Sequence, residues 1–166
     1  MKSKEEQISF IGKQAELERQ LARLYSLYQT KFPTFKLWPF LVEEERKHET
    51  WLKQIIPKIK AGEIYFFLDE LTYQAIEQTI EYINEEYEKA DKEGIDLVRA
   101  ISVAHSIEDS ALDKNVFKYF DSESPSIEEI LDNLREDTKK HREMLDNQKK
   151  ALMKEVNKYN KKDGQV

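Results

Sequence analysis

The feature that most constrains this chain is where its helix breakers fall. Only four glycines and four prolines are spread over 166 residues. Phe32-Pro33, Ala61-Gly62, Gly94 and Ser124-Pro125 cut the rest into long stretches with helical periodicity. The first helix is expected over about 3–30, opened by a Ser3-x-x-Glu6 capping box. The second starts between 34 and 40 and reaches about 60, with Pro57 expected to kink its last turns. The third spans about 69–92 and stops at Gly94, a natural C-cap. Asp96 caps a fourth that runs to 120, and Ser124-Pro125 caps a fifth over about 125–159. Residues 160–166 form a polar tail expected to fray.

The connections decide the architecture. The first two helices are joined briefly, as are the fourth and fifth, so each pair should be antiparallel. Between the pairs lies a stretch long enough to carry its own helix. The expected fold is therefore all-α: a ferritin-like four-helix bundle in which one long crossover holds an additional helix. Nothing in the sequence marks a linker, so 1–166 reads as a single domain.

Composition narrows the function classes. With 36% charged residues and a formal net charge of -6, acids and bases alternate on solvated faces, which argues against nucleic acid as a partner. The chain has no cysteine, which removes thiol catalysis, zinc–thiolate sites and iron–sulfur clusters. No apolar run has the length of a membrane span, and the first residues lack the apolar core of a secretory signal, so a cytoplasmic location is the default expectation.

The informative residues are polar ones on apolar stripes. Positions 3, 4, 7 and 11 apart share a helix face. In the first helix Glu18 is centred among Ile11, Ala15, Leu21, Ala22 and Tyr25, while Glu16 points away. In the second, Glu45 and His48 stand among Trp38, Leu41, Val42, Leu52, Ile56 and Ile59, while Glu43 and Glu44 are expected to turn outward. In the fourth, Glu108 lies among Leu97, Ile101, Ala104, Ala111, Leu112 and Tyr119. In the fifth, His141 lies among Ile130, Leu134, Met144, Leu145 and Leu152.

One inward Glu is ordinarily a stripe-edge or salt-bridged residue, and Glu-x-x-His alone is a common pattern in Glu-rich helices. His105 reads as a core or supporting histidine, and Tyr25 and Tyr119 read as core aromatics with a hydrogen-bonded tip. The conjunction carries more weight. Each bundle helix supplies an inward ligand type, and two of only three histidines are among them. Uncompensated buried carboxylates are costly, and a pair of hard or borderline cations would offset them. Phe66, Phe67, Ile76, Ile80 and Ile83 in the crossover give an apolar face suited either to the bundle or to a second subunit.

The runs ERQLARLY (18–25), LWPFLVEEERKHETWL (37–52), AISVAHSIEDSAL (100–112) and LREDTKKHREML (134–145) together resemble the rubrerythrin-like branch of the ferritin-like di-iron superfamily. The resemblance implies two iron ions per chain, with manganese using an overlapping ligand set. It places the ligands at Glu18, Glu45, His48, Glu108 and His141, with Glu45 and Glu108 as bridges. It also implies reduction of dioxygen or peroxide, or oxidation of ferrous iron, and a homodimer rather than a shell. Two departures stand out. Thr138 occupies the position where the family's second Glu-x-x-His has Glu, leaving Asp137 as a substitute ligand, and Ala111 stands where classical members carry a further Glu. Without cysteine there is no rubredoxin-like centre, so an external electron donor is required. The rival expectations are a metal-binding or sensing protein without turnover, and a structural or interaction bundle whose site has decayed.

Overall fold

The computed structural model describes residues 3–65, 70–114 and 125–163. The described residues form five helices: α1 (Lys4–Lys31), α2 (Leu37–Ala61), α3 (Glu70–Glu93), α4 (Leu97–Lys114) and α5 (Pro125–Asp163). Among the described residues there is no strand, and no helix is long and apolar enough to cross a membrane. The fold is an all-α bundle.

Local chemistry sets the ends as expected. Ser3 Oγ accepts from the Glu6 amide at 3.2 Å while the Glu6 carboxylate accepts from the Ser3 amide at 2.7 Å, so two of the orphan donors of α1 are satisfied. Asp96 Oδ1 accepts from the Arg99 amide at 2.8 Å and caps α4. Gly62 ends α2 in the left-handed region at φ 76°, where the Gly62 and Glu63 amides bond back to Ile59 and Lys58. Helix α2 continues through Pro57 to Ala61, and α5 runs to Asp163 rather than stopping near Tyr159. The expected cap at Ser124, the end of the fourth helix near Phe120, and Phe66, Phe67 and Tyr119 lie outside the described residues.

Contacts fix the helix directions. Trp38 meets Tyr25 and Tyr28, and the Lys4 ammonium reaches the Lys60 carbonyl, so α1 and α2 are antiparallel. Phe10 meets Tyr73 and Arg23 covers the Tyr87 ring, so α3 runs parallel to α1. Arg99 pairs with Glu86 at the α3–α4 turn, and Ser106 and Ser110 face Tyr82 and Gln78 further along, which makes that pair antiparallel. Helices α4 and α5 are antiparallel as well: Asp109 pairs with Arg142 while His105 lies near Asp146. Helix α3 therefore carries the chain back along α1 to the end where α4 begins. Its Ile76, Ile80 and Ile83 are buried in the same core as α1, so this face packs on the bundle.

The core explains why the frame is firm. Trp38 is fully buried with ring centroids of Tyr25, Tyr28 and Phe35 at 5.8, 5.0 and 5.6 Å. Such aromatic pairs add about 0.5–1.5 kcal/mol each beyond the area they bury. The stripes differ from expectation in detail. Ile55 is buried where Ile56 was expected to be, α5 buries Ile127, Leu131 and Leu134 with Ile130 at the edge, and Met144 is exposed. Helix α5 meets the bundle chiefly through α4 and only narrowly through α2, so the apolar stripe it buries is thinner than its sequence suggests.

Candidate metal centre

Four helices bring Glu18, Glu45, His48, Glu108 and His141 to one place, and all five side chains are buried. Glu45 stands at 1% exposure, His48 at 1% and His141 at 1%. On one side His48 Nδ1 is 2.9 Å from Glu45 Oε2 and 3.9 Å from Glu18 Oε2. On the other, His141 Nδ1 is 3.1 Å from Glu45 Oε1 and 3.7 Å from Glu108 Oε1. The two imidazoles stack with centroids 5.5 Å apart. Tyr25, at the end of the α1 stripe, donates its hydroxyl to Glu108 Oε1 at 2.9 Å.

Two ligand groups result, Glu18–Glu45–His48 and Glu45–Glu108–His141, each with its donor atoms within 4.8 Å of one another. Glu45 belongs to both. A third group, Glu44–His48–His141, meets the same condition on the outer side of the rings. Glu43 does turn to solvent, as expected. Glu44 does not: its Oε2 lies 3.9 Å from His141 Nε2 and 2.6 Å from Lys47 Nζ. Its spacing of four residues before His48 was the available signal, but only the packing of α5 on that flank of α2 reveals the contact.

Asp137 lies on this outer side too. It pairs with Lys47 and Lys140 at 3.0 Å each and sits 3.6 Å from His48 Nε2. It is in neither inner group among the described residues. Thr138 turns its hydroxyl back to the Leu134 carbonyl at 2.8 Å and offers nothing to the cluster. His105 is half-buried and belongs to no ligand group, and Ala111 is half-buried.

The electrostatics are those of a cluster short of positive charge. Burial raises the Glu18 carboxyl well above its ordinary range, and the charges of Glu45 and Glu108 raise it further. Burial and Glu45 also raise Glu108, against the opposing pull of His141 and Tyr25. Burial would raise Glu45 as well, but the imidazoles of His141 and His48 outweigh it and hold Glu45 low. Burial disfavours the charged His141 ring, yet the close Glu108 and Glu45 carboxylates push it up to about 11.

A contrast within the molecule sharpens this. Glu86 is another buried acid, and it receives both oxygens' worth of partner from Arg99 at 3.2 and 3.0 Å. No lysine or arginine among the described residues is buried near the inner cluster or elsewhere. There, Glu45 Oε1, His48 Nε2 and both nitrogens of His141 are buried without a hydrogen-bond partner. Buried polar atoms are rarely left so; of these, Glu45 Oε1 and His141 Nδ1 lie 3.1 Å apart inside the cluster, and carboxylate oxygen with imidazole nitrogen is the donor set that borderline iron and manganese take. Residues and donor chemistry therefore fit a metal pair.

The chain matches no protein-family model, no curated protein and no solved structure.

Proposed function

We propose that this is a non-haem di-iron protein of the ferritin-like, rubrerythrin-related kind, which reduces dioxygen or peroxide or oxidises ferrous iron. The observation that supports it most is the sharing of Glu45 between two buried Glu/His groups. Glu45 would bridge the ions, with Glu18 and His48 completing one site and Glu108 and His141 the other; Glu108, expected as a second bridge, falls in only one of the two groups. Manganese could take the same donors. The path of α3, which returns the chain along α1 before the second antiparallel pair, agrees with the one-crossover bundle that hosts such centres. So do the four sequence runs that resemble the rubrerythrin-like branch.

The bound ions would supply the one-electron redox chemistry. The chain supplies the rest. Its buried carboxylates offset the ionic charge, and its apolar shell of Leu21, Leu41 and Ile101 belongs to the core that keeps bulk water away. Tyr25 holds Glu108 by its hydroxyl proton and limits the freedom of that carboxylate. In ferrous oxidation the iron itself would supply the electrons; catalytic reduction of dioxygen or peroxide would draw them from a separate donor, since these residues hold no cysteine for an iron–sulfur relay.

Stopped-flow mixing of the ferrous-loaded protein with peroxide, and separately with dioxygen, tests the activity. Oxidation at least about tenfold faster than the same iron in buffer is expected of a catalytic centre. A rate equal to that of free iron would leave a metal-binding protein without turnover.

Thr138 and Ala111 favour a second reading, in which the site has decayed and protons replace the metals. The cluster would then be neutral with Glu18 and Glu108 protonated and Glu45 paired with a charged His141. That version binds no ion at any loading.

A further inference from the structure

Each imidazole has two ring nitrogens, and the inner groups engage only one. The Nδ1 atoms of His48 and His141 face Glu45 at 2.9 and 3.1 Å. The Nε2 atoms turn the other way. There, His48 Nε2 lies 3.6 Å from Asp137 Oδ2, and His141 Nε2 lies 3.9 Å from Glu44 Oε2. Both Nε2 atoms are buried and have no hydrogen-bond partner. Glu44, His48 and His141 present ligand atoms within 4.8 Å of one another on this side.

A cation already stands here. Lys47 Nζ lies 2.6 Å from Glu44 and 3.0 Å from Asp137, and its side chain is 36% exposed. The inner carboxylate Glu45, by contrast, is 1% exposed. The outer cluster is thus the more exposed part of the site.

We propose that this cluster is a separate cation position, which takes a divalent first-row transition ion through Nε2 of His48, Nε2 of His141 and the Glu44 carboxylate, with Asp137 beside it. The ion displaces the Lys47 ammonium, which has the face of the Trp51 ring 4.7 Å away. Two nitrogen donors with carboxylate select iron, manganese, cobalt or zinc over magnesium and calcium. A ring cannot bind through both nitrogens unless it loses its last proton, so inner and outer use of one imidazole alternate. That makes the outer position a waypoint through which ions load the inner pair, a role that rests on the inner groups being a metal centre.

Cobalt(II), read by its visible absorption and by elemental analysis, is the probe. In a triple variant, Glu18→Gln with Glu45→Gln and Glu108→Gln, the inner carboxylates are gone while both rings remain. About one cobalt per chain is expected, lost on adding Glu44→Gln. No cobalt in the folded triple variant, with the native chain binding two, overturns the outer position and leaves the inner reading standing. Cobalt in the native chain that survives the triple substitution and vanishes with Glu44→Gln alone supports the outer position and removes the inner one. Should the triple variant not fold by circular dichroism, Glu44→Gln in the native chain decides. Loading roughly tenfold slower, with unchanged final stoichiometry, is expected when a capturing carboxylate is removed. An unchanged loading rate, or a lower final stoichiometry at an unchanged rate, makes Glu44 a residue that only orients the ring, and overturns the proposal.

Discussion

Glu45 Oε1 and His141 Nδ1 lie 3.1 Å apart and neither has a hydrogen-bond partner. At that distance an imidazole and a carboxylate normally align. Here both atoms face the space they share with Glu108, which is the arrangement a common ion would complete.

Replacing Glu45 therefore removes more than one ligand's worth of binding. Glu45→Gln is expected to empty both inner groups, taking bound iron from about two ions per chain to no more than the one the outer position holds, because both groups lose their shared carboxylate. Far-ultraviolet circular dichroism should change little, since α2 keeps its buried Trp38, Leu41, Val42 and Leu52. Loss of helix without loss of metal would contradict the assignment.

The metal-free protein should be held back by its own acids. Glu18 has a raised folded pKa, so its contribution favours folding below the ordinary value of 4.5 and is lost as pH rises. The same sign applies to Glu108. His141, raised to about 11, adds stability that is full below 6.5 and disappears as pH climbs through about 11. Asp137 works in the opposite sense: held down to about 2 by Lys140 and Lys47 against the effect of burial, it contributes above 3.8 and is lost on acidification towards 2. The metal-free chain should accordingly melt higher near pH 5 than near pH 9. Glu18→Gln should raise its melting temperature at pH 8 by a few degrees, on the order of 1 kcal/mol for a domain of this size. The same variant should bind iron less tightly. A pH-independent melting temperature in the metal-free protein would argue against the charge-starved cluster.

How far this could be read in advance follows from what kind of information each feature needs. The Ser3–Glu6 box, the Asp96 cap and the Gly62 and Gly94 stops are local, and each forms as its few neighbouring residues dictate. The five inward donors are also legible, because a helix's own periodicity tells which face Glu18 or His141 shares with its apolar neighbours. Glu44 was not legible. Whether a residue at the flank of a stripe meets solvent or another helix depends on where α5 docks, and no periodicity in α2 contains that. Met144 was expected on the inward stripe but is exposed, because which flank of α5 is covered depends on where its neighbours dock. Glu86 went unnoticed because its partner, Arg99, belongs to the next helix.

Thr138 gives a gain-of-function test. Its hydroxyl bonds to the Leu134 carbonyl of its own helix, so replacing it gives up no hydrogen bond between helices. Thr138→Glu is expected to tighten binding of the weaker ion by roughly tenfold or more, as an added charged ligand should. Calorimetric titration with cobalt(II) measures it. No change in either binding step would mean that position 138 does not address the centre.

The aromatic cluster tests the frame rather than the site. Trp38→Ala should cost about 3–5 kcal/mol, as truncation of a fully buried aromatic does, and lower the melting temperature by roughly 10 °C. Denaturant unfolding of the metal-free protein isolates this from ion binding. A loss under about 1 kcal/mol would show that the Tyr25–Trp38–Tyr28 packing is not what joins α1 to α2.

The most direct measurement is elemental analysis of the purified chain after anaerobic loading with ferrous iron and desalting. The two groups that share Glu45 predict close to two iron atoms per chain. Near zero, with manganese and zinc also absent, would contradict the metal centre and leave a helical bundle whose buried acids are held by protons.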